Sequence, residues 1–145
     1  MTIDEKLKSA VKTLNIAYEL LLSGAAWLIA LGPRKVAEAA NGIGPARWPE
    51  KWRKKLDKWL WLFRPAADIH DCRFTYDNDG SDAKFRAAND EIERNCLLLA
   101  DARYSWYNPL RYLWRHRAHA VAFACRAFGW EAWIDAYKTN QKEAK

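Results

Sequence analysis

The sequence predicts a mostly α-helical protein, and three observations carry that reading. Apolar residues recur at steps of three and four along stretches such as FRPAADIHDCRF and the one that follows DNDG. Helix punctuation falls at the ends of those stretches, at Gly32-Pro33, Arg64-Pro65, Asn108-Pro109 and Gly129. No stretch reads as a convincing strand, a repeat or a low-complexity segment.

Taken in order, residues 3 to 31 read as one long helix that ends at Gly32-Pro33. Its second half, YELLLSGAAWLIALG, is strongly apolar. Glu19 interrupts the run, and the apolar stretch falls short of the roughly 20 residues a membrane span requires. A buried core helix is the first expectation and an interfacial one the second. A short helix, Arg34 to Ala40, leads into the turn NGIGP. The following segment, ARWPEKWRKKLDKWLWLF, interleaves tryptophans with lysines and arginines. It reads as a surface segment, and more sharply as a face for anionic lipid head groups.

Proline suits the first turn of a helix, so Arg64-Pro65 opens the next one, running to about Tyr76. DNDG is a tight turn. A long helix follows from about Ser81 to Ala102. Asn108-Pro109 caps and opens another, which runs to Phe128. A short last helix covers Trp130 to Tyr137, and KTNQKEAK reads as a polar tail.

Residues 1–145 are expected to form one domain: an apolar helical region (1–40), a core (41–103), C-terminal helices (104–137) and the tail (138–145). With 50% hydrophobic and 29% charged residues, the composition is that of a folded chain rather than a disordered one. Three widely spaced cysteines, Cys72, Cys96 and Cys125, form neither a disulfide framework nor a CxxC metal knuckle, which points to a reducing, cytoplasmic setting. MTIDEKLKSA does not read as a signal peptide. Nine tryptophans and a net charge of +6 favour anionic partners, either lipid or nucleic acid.

The chemistry concentrates around DIHDC. At helical spacing Phe63, Ala67, His70 and Phe74 share one face, and Asp71 sits about 100° round from His70. In the next helix Asp82, Phe85, Asn89, Ile92, Cys96 and Leu99 form a second stripe. The short turn makes the two helices antiparallel neighbours, with both stripes facing inward. That pairing brings His70 and Asp82 within reach. An imidazole held through one nitrogen keeps the other as a general base. Asp71 is then a spare carboxylate suited to a hard cation. Asp90 lies too far along the helix to be the first choice of partner. DNDGSD is not an EF-hand, because its glycine is fourth and no glutamate stands twelfth.

The order of these parts, a Gly-x-Gly turn, a helix bearing HD and an antiparallel helix bearing an aspartate, resembles phospholipase A2. It is most similar to small phospholipase A2-like proteins of bacteriophage and bacterial genomes, whose pattern runs NGCGPxxWP, FxPACDIHDxxY, a glycine turn and ADxxF. The corresponding segments here are NGIGPARWP, FRPAADIHDCRF, YDNDG and SDAKF, about 55 of the 145 residues. The resemblance implies a phospholipase A2-like core of two antiparallel helices with added N- and C-terminal helices. It implies His70 as general base, Asp82 as the residue that orients the imidazole, and Asp71 as a Ca²⁺ ligand. It also implies that main-chain carbonyls of Asn41, Gly42, Ile43 and Gly44 complete a calcium loop. The implied activity is Ca²⁺-dependent hydrolysis of phospholipid sn-2 esters at a membrane surface. Phe74 replaces a usual tyrosine, while Ala67 and Ile43 replace cysteines.

Two other readings stand beside this one. In the first, the same fold with an inactive site binds membrane or protein. In the second, a basic helical protein binds nucleic acid through WRKKLDKW and RYLWRHRAH, which carry Arg111, Arg115, His116, Arg117 and His119. His116 and His119 are spaced to share a metal, but no further ligand lies near in sequence.

Overall fold

The computed structural model describes residues 1–40 and 48–145. Among the described residues there are eight α-helices and no strand. They are α1 (Ile3–Glu19), α2 (Ala25–Leu31), α3 (Pro33–Ala39), α4 (Glu50–Trp59), α5 (Arg64–Tyr76), α6 (Asp82–Arg103), α7 (Pro109–Phe128) and α8 (Trp130–Glu143), with a 3₁₀ turn at Trp61–Phe63 before α5. No helix among them is long and apolar enough to cross a membrane.

Local chemistry accounts for most boundaries. Thr2 and Glu5 close a capping box on α1. Ser81 accepts a hydrogen bond from the Lys84 N–H at the start of α6, and Asn108 does the same for Leu110 at α7. Pro33, Pro65 and Pro109 each lie in a first helical turn, where no N–H is needed.

Residues 3 to 31 do not form the single helix the sequence predicts. The chain breaks after Glu19 in a Schellman turn. The Leu22 N–H bonds the Ala17 carbonyl at 3.0 Å and the Leu21 N–H bonds that of Tyr18 at 3.3 Å. Leu21 adopts the left-handed conformation (φ 51°) that glycine usually supplies there. The break is held from a distance. Buried Asn95 of α6 accepts from the Ser23 N–H (2.7 Å) and donates to the Ser23 carbonyl (2.9 Å). The apolar run therefore folds back as α1 and α2, so that Ala17, Leu22 and Leu28 are buried in the core.

A second departure lies at the other end. The predicted tail continues as helix to Glu143, and Asn140 Nδ2 ties α8 to α5 through the Thr75 carbonyl at 2.8 Å.

The core lies between α1, α3, α5, α6 and α7, with α6 and α7 sharing the most extensive helix pairing. Two polar networks cross it. Arg73 of α5 grips Glu91 of α6 with two nitrogens (2.9 and 3.1 Å), and its guanidinium lies 4.0 Å from the Trp27 ring centroid on α2. Asp68, almost wholly buried, accepts from Thr13 (2.5 Å) and Arg64 (2.8 Å). These bonds satisfy the polar groups that packing removes from water. By contrast α4 buries none of its residues, and Trp52 and Trp59 are exposed.

Candidate functional site

His70 sits midway along α5, facing α6. Its Nε2 lies 3.0 Å from Asn89 Oδ1. A carbonyl oxygen only accepts, so in this arrangement the ring carries its proton on Nε2 and donates it to Asn89. Nδ1 is then the unprotonated nitrogen, and it has no hydrogen-bond partner among the described residues. The ring also packs on Phe74, centroid to centroid 4.5 Å. Phe74 in turn meets Trp133 of α8 (4.9 Å) and Phe85 of α6 (6.4 Å). This aromatic wall removes water from the imidazole. Desolvation lowers the His70 pKa below 6.5, against smaller upward pulls from the Asn89 hydrogen bond and the Glu91 charge.

The expected pairing of His70 with Asp82 is replaced by one with Asn89. Asp82 is an exposed residue at the start of α6 and forms an ion pair with Arg86 (2.6 Å). The reason is geometric. Antiparallel helices pair at equal distances from their connecting turn, and His70 lies well back from it. Asp82 is seven residues nearer the turn than Asn89, a displacement of roughly 10 Å along a helix axis. Asn89 sits on the predicted inward stripe of α6, and height along the helix was the missing criterion. Asp90 is exposed and pairs with Arg126 (2.7 Å) instead of His70.

Beyond Asn89 is a hollow of about 350 Å³ lined by Phe85, Asn89 and two ion pairs, Asp82–Arg86 and Asp90–Arg126. Asn89 is fully buried, and its Nδ2 makes no hydrogen bond. Among the described residues its side chain hydrogen-bonds through Oδ1 to His70 alone.

Asp71 is half-buried beside His70, as the HD order requires. Its carbonyl accepts from Thr75 Oγ1 (3.0 Å). Its charge reaches two thiols. Burial first, and Asp71 second, push Cys72 up to about 12 and Cys125 up to about 11, so neither is a thiolate at neutral pH. Asn41, Gly42, Ile43 and Gly44 lie outside the described residues. Among the described residues no group of three His, Cys, Asp or Glu side chains is placed to hold a metal ion. A hard cation takes six to eight oxygens. Asp71 offers the right kind of ligand, and no cluster of three such side chains forms among the described residues. A fit to Ca²⁺ therefore depends on main-chain oxygens of residues 41–44.

The basic residues of α7 are largely engaged within the chain. Arg111 and Arg115 both pair with Asp101 (3.0 and 2.6 Å). Arg117 lies between the Trp59 and Trp114 rings at 4.5 and 4.6 Å. His119 lies 3.7 Å from Glu93.

Asn89→Asp is the informative substitution at this site. A carboxylate 3 Å from an imidazole favours its charged form, and such neighbours move a pKa by about one to three units. The His70 titration followed by NMR should rise by that order. The same change should weaken the pH dependence of stability. In the wild type the unfolded chain takes up the proton first. Stability is therefore full above about pH 6.5 and falls as pH drops through that value toward the lower folded pKa. An unmoved His70 titration in Asn89→Asp would mean that the observed contact does not govern the imidazole.

No protein-family model matches this chain, nor does any curated protein or solved structure.

Proposed function

We propose that the protein is a phospholipase A2-like ester hydrolase, Ca²⁺-dependent, acting on phospholipid sn-2 esters at a membrane surface. One observation carries the reading: an imidazole tied through Nε2 to Asn89, with Nδ1 making no hydrogen bond among the described residues, and an acidic residue next in sequence. In this mechanism Nδ1 of His70 accepts a proton from water as the water oxygen attacks the ester carbonyl carbon. Nε2–H, held by Asn89, keeps the ring plane fixed throughout. Return of the proton to the departing alkoxide oxygen completes the hydrolysis and restores the neutral ring. The lowered pKa keeps the base unprotonated at neutral pH. A bound Ca²⁺, held by Asp71 and the carbonyls of Asn41, Gly42, Ile43 and Gly44, would supply positive charge for the ester carbonyl. Water is the nucleophile, in keeping with the protonated state of the two cysteines nearest Asp71. The exposed tryptophans and lysines of α4 support a location at an anionic lipid surface.

The second reading, a membrane- or protein-binding module without activity, draws on a specific feature. The orienting group is a neutral amide, and Phe74 brings no hydroxyl to the site. An amide stabilises an imidazolium less than a carboxylate does. The nucleic-acid reading is the weakest, because the arginines of α7 are already paired or stacked.

The test is fatty-acid release from vesicles of mixed anionic and zwitterionic phospholipids, with and without millimolar Ca²⁺. Release that stops on chelation is the expected result. Vesicle binding without release, from folded protein, would replace the hydrolase reading with that of a binding module.

A further inference from the structure

At the other end of the α5–α6 pair from Asn89 there is a groove of about 570 Å³. It is bounded by α1, the 3₁₀ turn, the first turn of α5 and the last turns of α6. Its volume lies in the range of small-molecule sites. Arg64, at its edge, is six residues before His70 on α5, roughly 9 Å along the helix. The groove is therefore separate from the imidazole site.

Two properties define what it can hold. The first is its floor. Ile16, Leu62 and Leu99 present apolar side chains. Of the polar residues that line it, Thr13 and Arg64 are already matched, since both bond to buried Asp68. The floor thus favours an alkyl chain over a polar ligand. The second is its rim. The Arg64 charge is offset by Asp68, which leaves the exposed cations Lys12 and Arg103 against Asp57. An apolar trough under a net positive rim complements one apolar chain with an anionic head.

We propose that this groove binds a monomeric long-chain fatty-acid carboxylate, the chain lying over Ile16, Leu62 and Leu99 and the head between Lys12 and Arg103. The assignment does not depend on the hydrolase reading, because no residue of the groove belongs to the His70 site. It defines a second site, one that would take up a fatty acid from any source.

The test is calorimetric titration of the full chain with dodecanoate and with dodecyltrimethylammonium, both below their micelle concentrations. Dodecanoate should bind at one site per chain and at least tenfold more tightly than the cation. Ala102, exposed in the last turns of α6, lines the groove. Ala102→Trp should fill it and abolish dodecanoate binding without lowering the melting temperature. Lys12→Glu combined with Arg103→Glu should remove or reverse the preference for the anion. Equal affinity for both head groups would overturn the proposal. So would dodecanoate binding that survives Ala102→Trp, or binding seen only with vesicles and never with the monomer. None of these outcomes bears on ester hydrolysis, which the vesicle assay reads separately.

Discussion

His70→Gln is expected to lower phospholipid ester hydrolysis by about 10²–10⁴-fold, the usual contribution of a general base, while the helical content stays unchanged. Glutamine keeps a polar group near Asn89, so the buried amide is not stranded on that side. It has no nitrogen that can take a proton from water. The loss should therefore appear in the chemical step rather than in vesicle binding, for which the proposed surface is α4. Measuring initial rates together with vesicle co-sedimentation separates the two. Hydrolysis by the variant at a rate comparable to wild type would remove His70 from the mechanism.

Trp133→Ala is expected to be the most destabilising single substitution near the site. Trp133 is fully buried and packs on both Phe74 and Phe85. Its carbonyl also accepts from Asn78 Nδ2 at 2.8 Å, which joins α8 to the turn between α5 and α6. Removing a buried tryptophan side chain costs about 3–5 kcal/mol. For a domain of this size that is on the order of 10 °C in Tm. Trp133→Phe makes an instructive contrast. The indole N–H is buried without a partner, a burden of about 1–3 kcal/mol that phenylalanine does not carry. Trp133→Phe should therefore cost much less than Trp133→Ala. Equal melting temperatures for wild type and Trp133→Ala would show that α8 does not brace the aromatic wall behind His70.

The helical class and most helix boundaries were legible because they are local. Pro65, Pro109 and Asn108 act through their own backbone or the next few residues, and the structure starts α5 at Arg64 and runs α7 from Pro109 to Phe128 as the sequence predicts. What was hidden depends on partners far along the chain. The break at Leu20–Gly24 begins in three leucines that favour helix, with Ser23 and Gly24 its local signal, and the residue that holds its turn, Asn95, is on α6. The continuation of α8 past Tyr137 is likewise fixed by a contact to Thr75. At the site, period three-and-four spacing placed His70, Phe85, Asn89 and Ile92 on facing stripes. It gave direction around the helix and not height along it, so an acidic residue was preferred to the amide that stands level with the imidazole. The glycine turn at 41–44 lies outside the described residues.

The Ser23–Asn95 clamp has a consequence for how the chain acquires its shape. Asn95 lies 72 residues downstream of the turn it holds. As the chain emerges during synthesis, α1 can form at once on its own capping box. The Ser23 turn must wait for another 72 residues, about half of the sequence, before its partner arrives. Contacts of such long sequence separation carry the loop-closure cost that slows folding. Until the helices it packs on, α1, α3 and α5, have gathered, the apolar stretch from Leu20 to Leu31 stays uncovered, and in the nascent protein it is a segment for a chaperone to cover.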